Sequence, residues 1–117
     1  MRNFKQLLIW QKGFQISIDA FKLVSSFPKE ERFSLSNQIT RAAVSIPSNI
    51  AEGRSRGSEK DYNRFLELAL GSSYELETQL LIACAVNYGD EPLRGNLLQN
   101  IQDEQKMLVG FMGKLSK

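Results

Sequence analysis

The sequence contains no histidine, so it lacks the most common general base and the most common metal ligand. Its single cysteine, Cys84, excludes an intramolecular disulfide and a zinc site built from several cysteines, and it fits a reducing compartment. No apolar segment approaches the roughly 20 residues of a membrane-spanning helix, and the polar N-terminus does not resemble a signal peptide. We therefore expect a soluble, cytoplasmic protein without a metal, a cofactor or a membrane partner.

The chain also lacks a large excess of charge of either sign. Fifteen Lys and Arg residues and 13 Asp and Glu residues give a formal net charge of +2. A dedicated nucleic-acid-binding domain is usually much more basic. The 117 residues are 42% hydrophobic, which is enough for a single domain, residues 1–117, with its own core. Because the serines have no histidine base, acyl-transfer catalysis is not expected, and we predict a protein that is not an enzyme.

Apolar residues recur at the three- and four-residue spacing of amphipathic helices along four segments. These segments are predicted at about residues 5–25, 34–53, 59–87 and 91–115. The main apolar stripe of the first segment is Leu7, Trp10, Phe14, Ile18 and Phe21, and a weaker second stripe is Ile9, Ile16 and Leu23. Short connections and the absence of an alternating strand pattern predict an all-α fold, an antiparallel up-and-down four-helix bundle.

The second helical segment is nearly uncharged. Residues 34–50 hold one charged side chain, Arg41, although 24% of the whole chain is charged. Such a helix is expected to be covered on several sides. Pro47 lies inside the segment and costs ~3 kcal/mol in a helix interior, because it removes the amide that would bond to the Ala43 carbonyl. We predict one helix that is kinked at Pro47, and the alternative is two shorter helices that meet at Ile46.

Small residues on this helix permit close contacts with more neighbours than three helices easily provide. We therefore predict a homo-oligomer in which the small faces of several subunits meet. The residues assigned to subunit contact or to packing are Trp10, Ala42, Ser45, Ile46, Pro47 and Ile50. Gly13 of the first helix is predicted to permit the close approach of a neighbouring helix.

Arg41 requires a partner if this helix is buried. We favour a structural ion pair with Glu75 or Glu77 of the third helix, because Glu52 would reach Arg41 only through a neighbouring helix or subunit. The same carboxylates are the ligand types of a magnesium or calcium site. Four-helix bundles that hold two iron ions also use histidine, which this chain lacks, and we predict no metal site.

Gln38 and Asn49 are polar residues on the same nearly uncharged helix. One interpretation is a hydrogen-bonding pocket for a ligand. The interpretation that we favour is structural: a buried amide satisfies the backbone group freed by Pro47 or bonds across a subunit interface.

A basic cluster follows the second helix and continues into the third. It consists of Arg54, Arg56, Lys60 and Arg64. Amides at the start of a helix and basic side chains both attract phosphate groups, and repetition in a ring of subunits would strengthen a weak charge. The cluster is therefore the candidate nucleic-acid-binding site. The alternative is a solvated loop in which Glu59 and Asp61 cancel much of the charge.

Residues 38–53 read Gln-Ile-Thr-Arg-Ala-Ala-Val-Ser-Ile-Pro-Ser-Asn-Ile-Ala-Glu-Gly. This run resembles the signature of the bacterial four-helix bundle proteins encoded within 23S rRNA intervening sequences. Residues 10–12, the Phe27-Pro28 pair and residues 75–80 are similar to the pattern of that family as well. The resemblance extends from about Leu7 to Leu115.

The resemblance implies an up-and-down bundle that assembles into a homopentamer and whose biochemical role is not established. A related branch, the accessory proteins of diversity-generating retroelements, works with a reverse transcriptase and nucleic acid. By analogy, we predict a non-enzymatic, self-assembling scaffold that binds RNA or DNA through the basic cluster. The alternative is a protein–protein adaptor or structural oligomer with no nucleic-acid role.

Overall fold

The computed structural model of the protein describes residues 3–115. A single 3₁₀ turn, Phe4–Gln6, precedes α1, Leu8–Val24, and a second 3₁₀ turn, Lys29–Glu31, precedes α2, Leu35–Arg54. Two longer helices follow, α3 at Glu59–Ala85 and α4 at Glu91–Leu115. No β-strand occurs between residues 3 and 115. The predicted all-α fold with four helices is confirmed, and the predicted helix ends agree to within three residues.

The four helices form one elongated bundle of 44 × 22 × 20 Å. Helix α1 packs on α2 and α4, and α3 also packs on α2 and α4, so each helix has two neighbours. The most extensive contact is between α2 and α3, and the least extensive is between α1 and α4. Helix α4 is therefore held less tightly to its neighbours than α2 is.

The core follows the predicted apolar stripes on α2 and α3. Ile39, Ile46 and Ile50 of α2 are fully buried. The fully buried positions of α3 are Leu66, Ala69, Ser73, Leu76, Leu80 and Ala83. These positions form the core-facing side of α3, on which Leu66 is fully buried and its neighbour Phe65 is only partly buried.

The structure distinguishes the two apolar stripes of α1 by their burial. Ile9, Ile16 and Leu23 of the weaker stripe are buried. Phe14 and Phe21 of the stronger, aromatic stripe are exposed. Periodicity finds both stripes but cannot tell which one the other helices of the same chain cover.

Pro47 lies within a continuous α2, so the helix is not divided into two. The carbonyl that Pro47 leaves without its usual donor belongs to Ala43, and the Ser17 hydroxyl of α1 donates to it at 3.0 Å. The donor to this carbonyl is therefore Ser17 and not Asn49. Gly13 permits the close approach of α1 to α2, because a Cβ at Gly13 would lie only 3.2 Å from Ile46 Cγ2. A kink at Pro47 remains a prediction.

The helix ends match several local signals in the sequence. The Ser58 hydroxyl accepts the Asp61 amide at 3.1 Å, and the Asp90 carboxylate accepts the Leu93 amide at 3.0 Å, as expected for N-terminal caps. Gly89 has a φ of +82° in the turn between α3 and α4, as expected for a glycine at the C-terminal end of a helix. Gly53, in contrast, is buried within α2 and does not belong to the following loop.

Candidate functional site

The basic cluster lies where α2 ends and α3 begins. Arg54 is the last residue of α2, and Arg56 lies in the loop that follows. Both are partly buried, whereas Lys60 and Arg64 on the first turns of α3 are exposed. The four residues therefore belong to one junction, which we call the basic junction, but they differ in their access to a ligand.

The two partly buried arginines are held against aromatic rings. The Arg56 guanidinium lies 4.6 Å from the centroid of the Phe65 ring and donates to Glu52 Oε2 at 2.6 Å. The Arg54 guanidinium lies 6.0 Å from the centroid of the Tyr62 ring. Cation–π contacts of this kind fix the position of an arginine. Arg54 and Arg56 therefore contribute to the packing of α2 on α3, and Lys60 and Arg64 are the side chains that extend into solvent.

Acidic residues reduce the charge of the basic junction. Glu52 pairs with Arg56, and Glu59 and Asp61 occupy the first turn of α3. Four basic and three acidic side chains give the basic junction a formal net charge of +1. A single copy therefore offers phosphate only a weak electrostatic attraction.

Arg41 is exposed on α2, which removes the reason for the buried ion pair that the sequence suggested. Across residues 3–115 it has no carboxylate within ion-pair distance. Arg41, Gln38, Ser45 and Glu75 line one surface groove between α2 and α3, of about 390 Å³. An Arg41–Glu75 pair is thus not formed in the single chain, and pairing with a carboxylate of another subunit stays a prediction.

The other predicted polar residues have structural partners within the chain. Glu77 of α3 accepts hydrogen bonds from Gln102 and Gln105 of α4, at 3.3 and 2.9 Å. The side-chain amide of Asn49 donates through Nδ2 to the Ser45 carbonyl at 2.8 Å and to the Ser45 hydroxyl at 2.9 Å. Glu77 therefore links α3 to α4, and Asn49 bonds within α2.

The residues predicted for packing or subunit contact fall into two groups. Ile46 and Ile50 are core residues with no exposed surface, and Ala42 is buried but lines the groove between α2 and α3. Trp10 and Ser45 are half-buried, and Pro47 lines a surface groove of about 290 Å³ together with Trp10. The Ser45 hydroxyl lies 2.8 Å from the Ser72 hydroxyl of α3, so Ser45 also joins two helices of one chain.

An exposed apolar surface runs along α1 and α2 beside this groove. We define the α1–α2 apolar surface as Trp10, Phe14, Ile18, Phe21, Val44 and Ala51. Phe14 is 48% exposed, Phe21 55% and Val44 41%. The Trp10 ring stacks on the Phe14 ring at a centroid distance of 5.1 Å. Contiguous exposed aromatic side chains of this kind are typical of an interaction surface.

Two buried charged residues on α4 were missed in the sequence analysis. Arg94 is 5% exposed and donates to the Tyr88 carbonyl at 2.7 Å, so it fixes the turn between α3 and α4. Glu104 is 0% exposed, and burial raises the pKa of its carboxyl group to about 8, although the positive charge of Lys12 lowers it. Helical spacing could have identified Glu104, since it lies three residues after Ile101 and four before Leu108 on the core-facing side.

No group of three or more Cys, Asp and Glu residues in the described range is arranged to hold a metal ion. No helix within residues 3–115 is long and apolar enough to cross a bilayer.

Comparisons with known proteins agree with the fold. The solved structure of a protein of unknown function from the S23 ribosomal protein family of Bacteroides thetaiotaomicron is similar, with a TM-score of 0.80 and 21% sequence identity. The similarity covers 90% of this chain and 98% of that chain. No curated protein matches this chain. A family profile matches residues 5–110, which include α1, α2, α3 and most of α4. The chain therefore belongs to the family of 23S rRNA-intervening sequence proteins.

Proposed function

We propose that this protein is a non-enzymatic helical bundle that self-associates through the α1–α2 apolar surface and then binds RNA through the repeated basic junctions. The observation that carries the proposal is the exposure of the aromatic stripe of α1. Phe14 and Phe21 are about half exposed in the single chain, although they follow the same helical spacing as core residues. Their burial against another copy would remove a large apolar area from water.

A second copy of the chain is the partner that we propose for this surface. Small residues of α2, such as Ser48 and Ala51, line the groove next to Trp10 and Phe14, so another helix can approach closely. No charged residue lies on α2 between Arg41 and Glu52, so charge does not oppose association along that length. The family resemblance, which implies a homopentamer, supports the same partner.

Self-association would change the electrostatics of the basic junction. The basic junction of one copy has a net charge of about +1 and two exposed cations, Lys60 and Arg64. Several copies in one assembly would present this set repeatedly along a phosphate backbone, and linked weak sites bind much more tightly than one site. RNA binding is thus proposed for the assembly rather than for the single chain.

The experiment combines sedimentation velocity with RNA binding measured at several salt concentrations. We expect the wild-type protein to sediment as an oligomer, and Phe14→Ser to shift it toward smaller species. Val109→Ser, which changes an exposed apolar residue on α4, is the matched control and should leave the oligomer intact. A wild-type protein that stays monomeric at micromolar concentration would refute self-association.

RNA binding is measured with the same preparations. Lys60→Gln combined with Arg64→Gln should weaken binding and reduce its salt dependence, because fewer counterions are released from the RNA. Lys106→Gln on α4 is the control for the loss of one exposed positive charge. If the oligomer binds no RNA at low salt, or if added salt does not weaken binding, the RNA part of the proposal is wrong.

A protein–protein adaptor is the second candidate function. It is favoured by exposed apolar side chains on α3, namely Tyr74, Leu81 and Ile82, which are 50%, 53% and 47% exposed. An assembled protein that binds no RNA at low salt would favour this candidate. A wild-type protein that neither assembles nor binds RNA would support neither candidate function.

A further inference from the structure

Glu104 is a buried ionisable residue that the proposed function does not use. It lies in the middle of α4 and is fully buried, and neither of its carboxyl oxygens has a hydrogen-bond partner among the described residues. A buried carboxyl group without partners is far more costly when it is ionised than when it is neutral. The folded bundle therefore favours a protonated Glu104.

The carboxyl group lies where three helices meet. A Cβ built on Gly13 of α1 would lie 3.0 Å from Glu104 Oε2, 3.2 Å from Ile46 Cγ2 and 3.4 Å from the Pro47 nitrogen. The carboxyl group of α4 therefore occupies the space that Gly13 leaves at the close approach of α1 to α2. Movement of this group would directly disturb the contact of α4 with α1.

The surroundings provide little to stabilise an anion at this position. Lys12 of α1 is the charged group whose field lowers the pKa of Glu104, and its ammonium group donates to Asn100 rather than to Glu104. On α2, residues 42–51 carry no charge, and on α3 the same is true of residues 68–74.

Farther along α3, Glu75 is exposed and Glu77 accepts hydrogen bonds from α4. Both are carboxyl groups, so neither can compensate the negative charge of an ionised Glu104. On α4 itself, Asp103 accepts a hydrogen bond from Gln99, and Lys106 is exposed. Burial dominates over the field of Lys12, and the pKa of Glu104 rises to about 8.

We propose that Glu104 is a proton-controlled latch, which holds α4 against α1 while its carboxyl group is neutral and releases α4 when the group ionises. Helix α4 is the element that would separate, because its contact with α1 is the least extensive in the bundle. The contacts of α2 with α3 and with α1 are the two most extensive in the bundle, and they should persist.

The direction of the pH effect follows from linkage. The pKa of Glu104 is about 8 in the folded chain and 4.5 for the ordinary group. Between pH 4.5 and about pH 8, the folded chain therefore binds one proton more than the unfolded chain. The stabilisation is complete below about pH 4.5 and is lost as the pH rises through about 8. Over this range, the equilibrium constant for opening should rise by up to about tenfold per pH unit.

The test is hydrogen exchange with mass spectrometry on the full chain at about pH 6 and about pH 9, corrected for the intrinsic pH dependence of amide exchange. In the wild type, peptides from α4 should lose protection at the higher pH, while peptides from α2 keep theirs. In Glu104→Gln the protection of α4 should not depend on pH. The exposed Glu67→Gln, which removes the same charge from α3, should behave as the wild type.

Equal loss of α4 protection in the wild type and in Glu104→Gln would overturn the proposal. Because Glu104→Gln could fail to fold, the titration is also followed in the wild type by carboxyl-carbon NMR of labelled glutamate. One glutamate resonance should titrate near pH 8. The proposal would also be overturned if all glutamate resonances titrated within about one pH unit of 4.3.

Discussion

Replacement of Ser17 by alanine tests how the bundle accommodates a proline inside α2. The Ser17 hydroxyl donates to the Ala43 carbonyl at 3.0 Å, and this carbonyl has lost its usual donor because Pro47 has no amide hydrogen. Ala43 is fully buried, so Ser17→Ala leaves a buried acceptor without a donor. Such a loss costs about 1–3 kcal/mol of unfolding free energy. The better helix propensity of alanine offsets about 0.5 kcal/mol of it.

A double-mutant cycle with Pro47→Ala separates this explanation from a general packing defect. In Pro47→Ala the new amide at position 47 can donate to the Ala43 carbonyl, as in a regular helix. Ser17→Ala should then cost less than in the wild type, and the coupling should be about 1 kcal/mol. The assay is urea unfolding of the four proteins at one concentration, followed by circular dichroism.

The control for this cycle is Thr78→Ala, which removes a hydroxyl group at an exposed position of α3, outside the α1–α2 apolar surface and its groove. It should be neutral or slightly stabilising, because alanine has the better helix propensity. The explanation is refuted if Ser17→Ala costs the same in both backgrounds to within about 0.3–0.5 kcal/mol, since independent sites are additive to that extent. The serine would then stabilise the bundle by a route other than the freed carbonyl.

Two further predictions concern Gly53 and Arg94, and both are measured by urea unfolding. Gly53→Ala should destabilise the bundle by about 1–2 kcal/mol, because its Cβ would lie 2.8 Å from Phe65 Cβ. Gly71→Ala should instead stabilise the bundle by about 1 kcal/mol, since its Cβ would meet no atom within 4 Å. If both glycine variants changed the unfolding free energy in the same direction, the close contact of α2 with α3 at Gly53 would be contradicted. Arg94→Met should cost about 1.5–3 kcal/mol, because the partly buried carbonyl of Tyr88 loses a charged donor at 2.7 Å. The exposed Arg64→Met should change stability by less than about 0.5 kcal/mol, and a similar cost for both arginine variants would show that Arg94 does not stabilise the turn.

Helix positions and core stripes were largely predictable from local patterns. Apolar spacing located α2 and α3, and Ser58 and Asp90 marked the starts of two helices through their preference for N-terminal caps. These signals act over a few residues, so they do not depend on how the helices are arranged. The same spacing could not decide whether the aromatic stripe or the aliphatic stripe of α1 faces the core, because both have the period of a helix.

The candidate site was predictable only in part, because burial decides what a charged residue does. Arg54, Arg56, Lys60 and Arg64 do lie at one junction, but the structure divides them into two ring-bound arginines and two exposed cations. Arg41 was expected to be buried on a nearly uncharged helix, and it is exposed. Charge density along a sequence reports the average surroundings of a helix and not the orientation of one side chain.

The sequence by itself determined the elements of this protein: four amphipathic helices, their ends, the small residues of α2 and the family to which the chain belongs. Those features depend on local spacing, capping and a long contiguous motif. Only the tertiary structure decided which surfaces and charges are left over after packing. It buried Glu104 and Arg94, exposed Phe14 and Arg41, and brought Ser17 of α1 to the carbonyl freed by Pro47. These outcomes depend on contacts between residues far apart in the chain, and such contacts exist only once the helices have packed together.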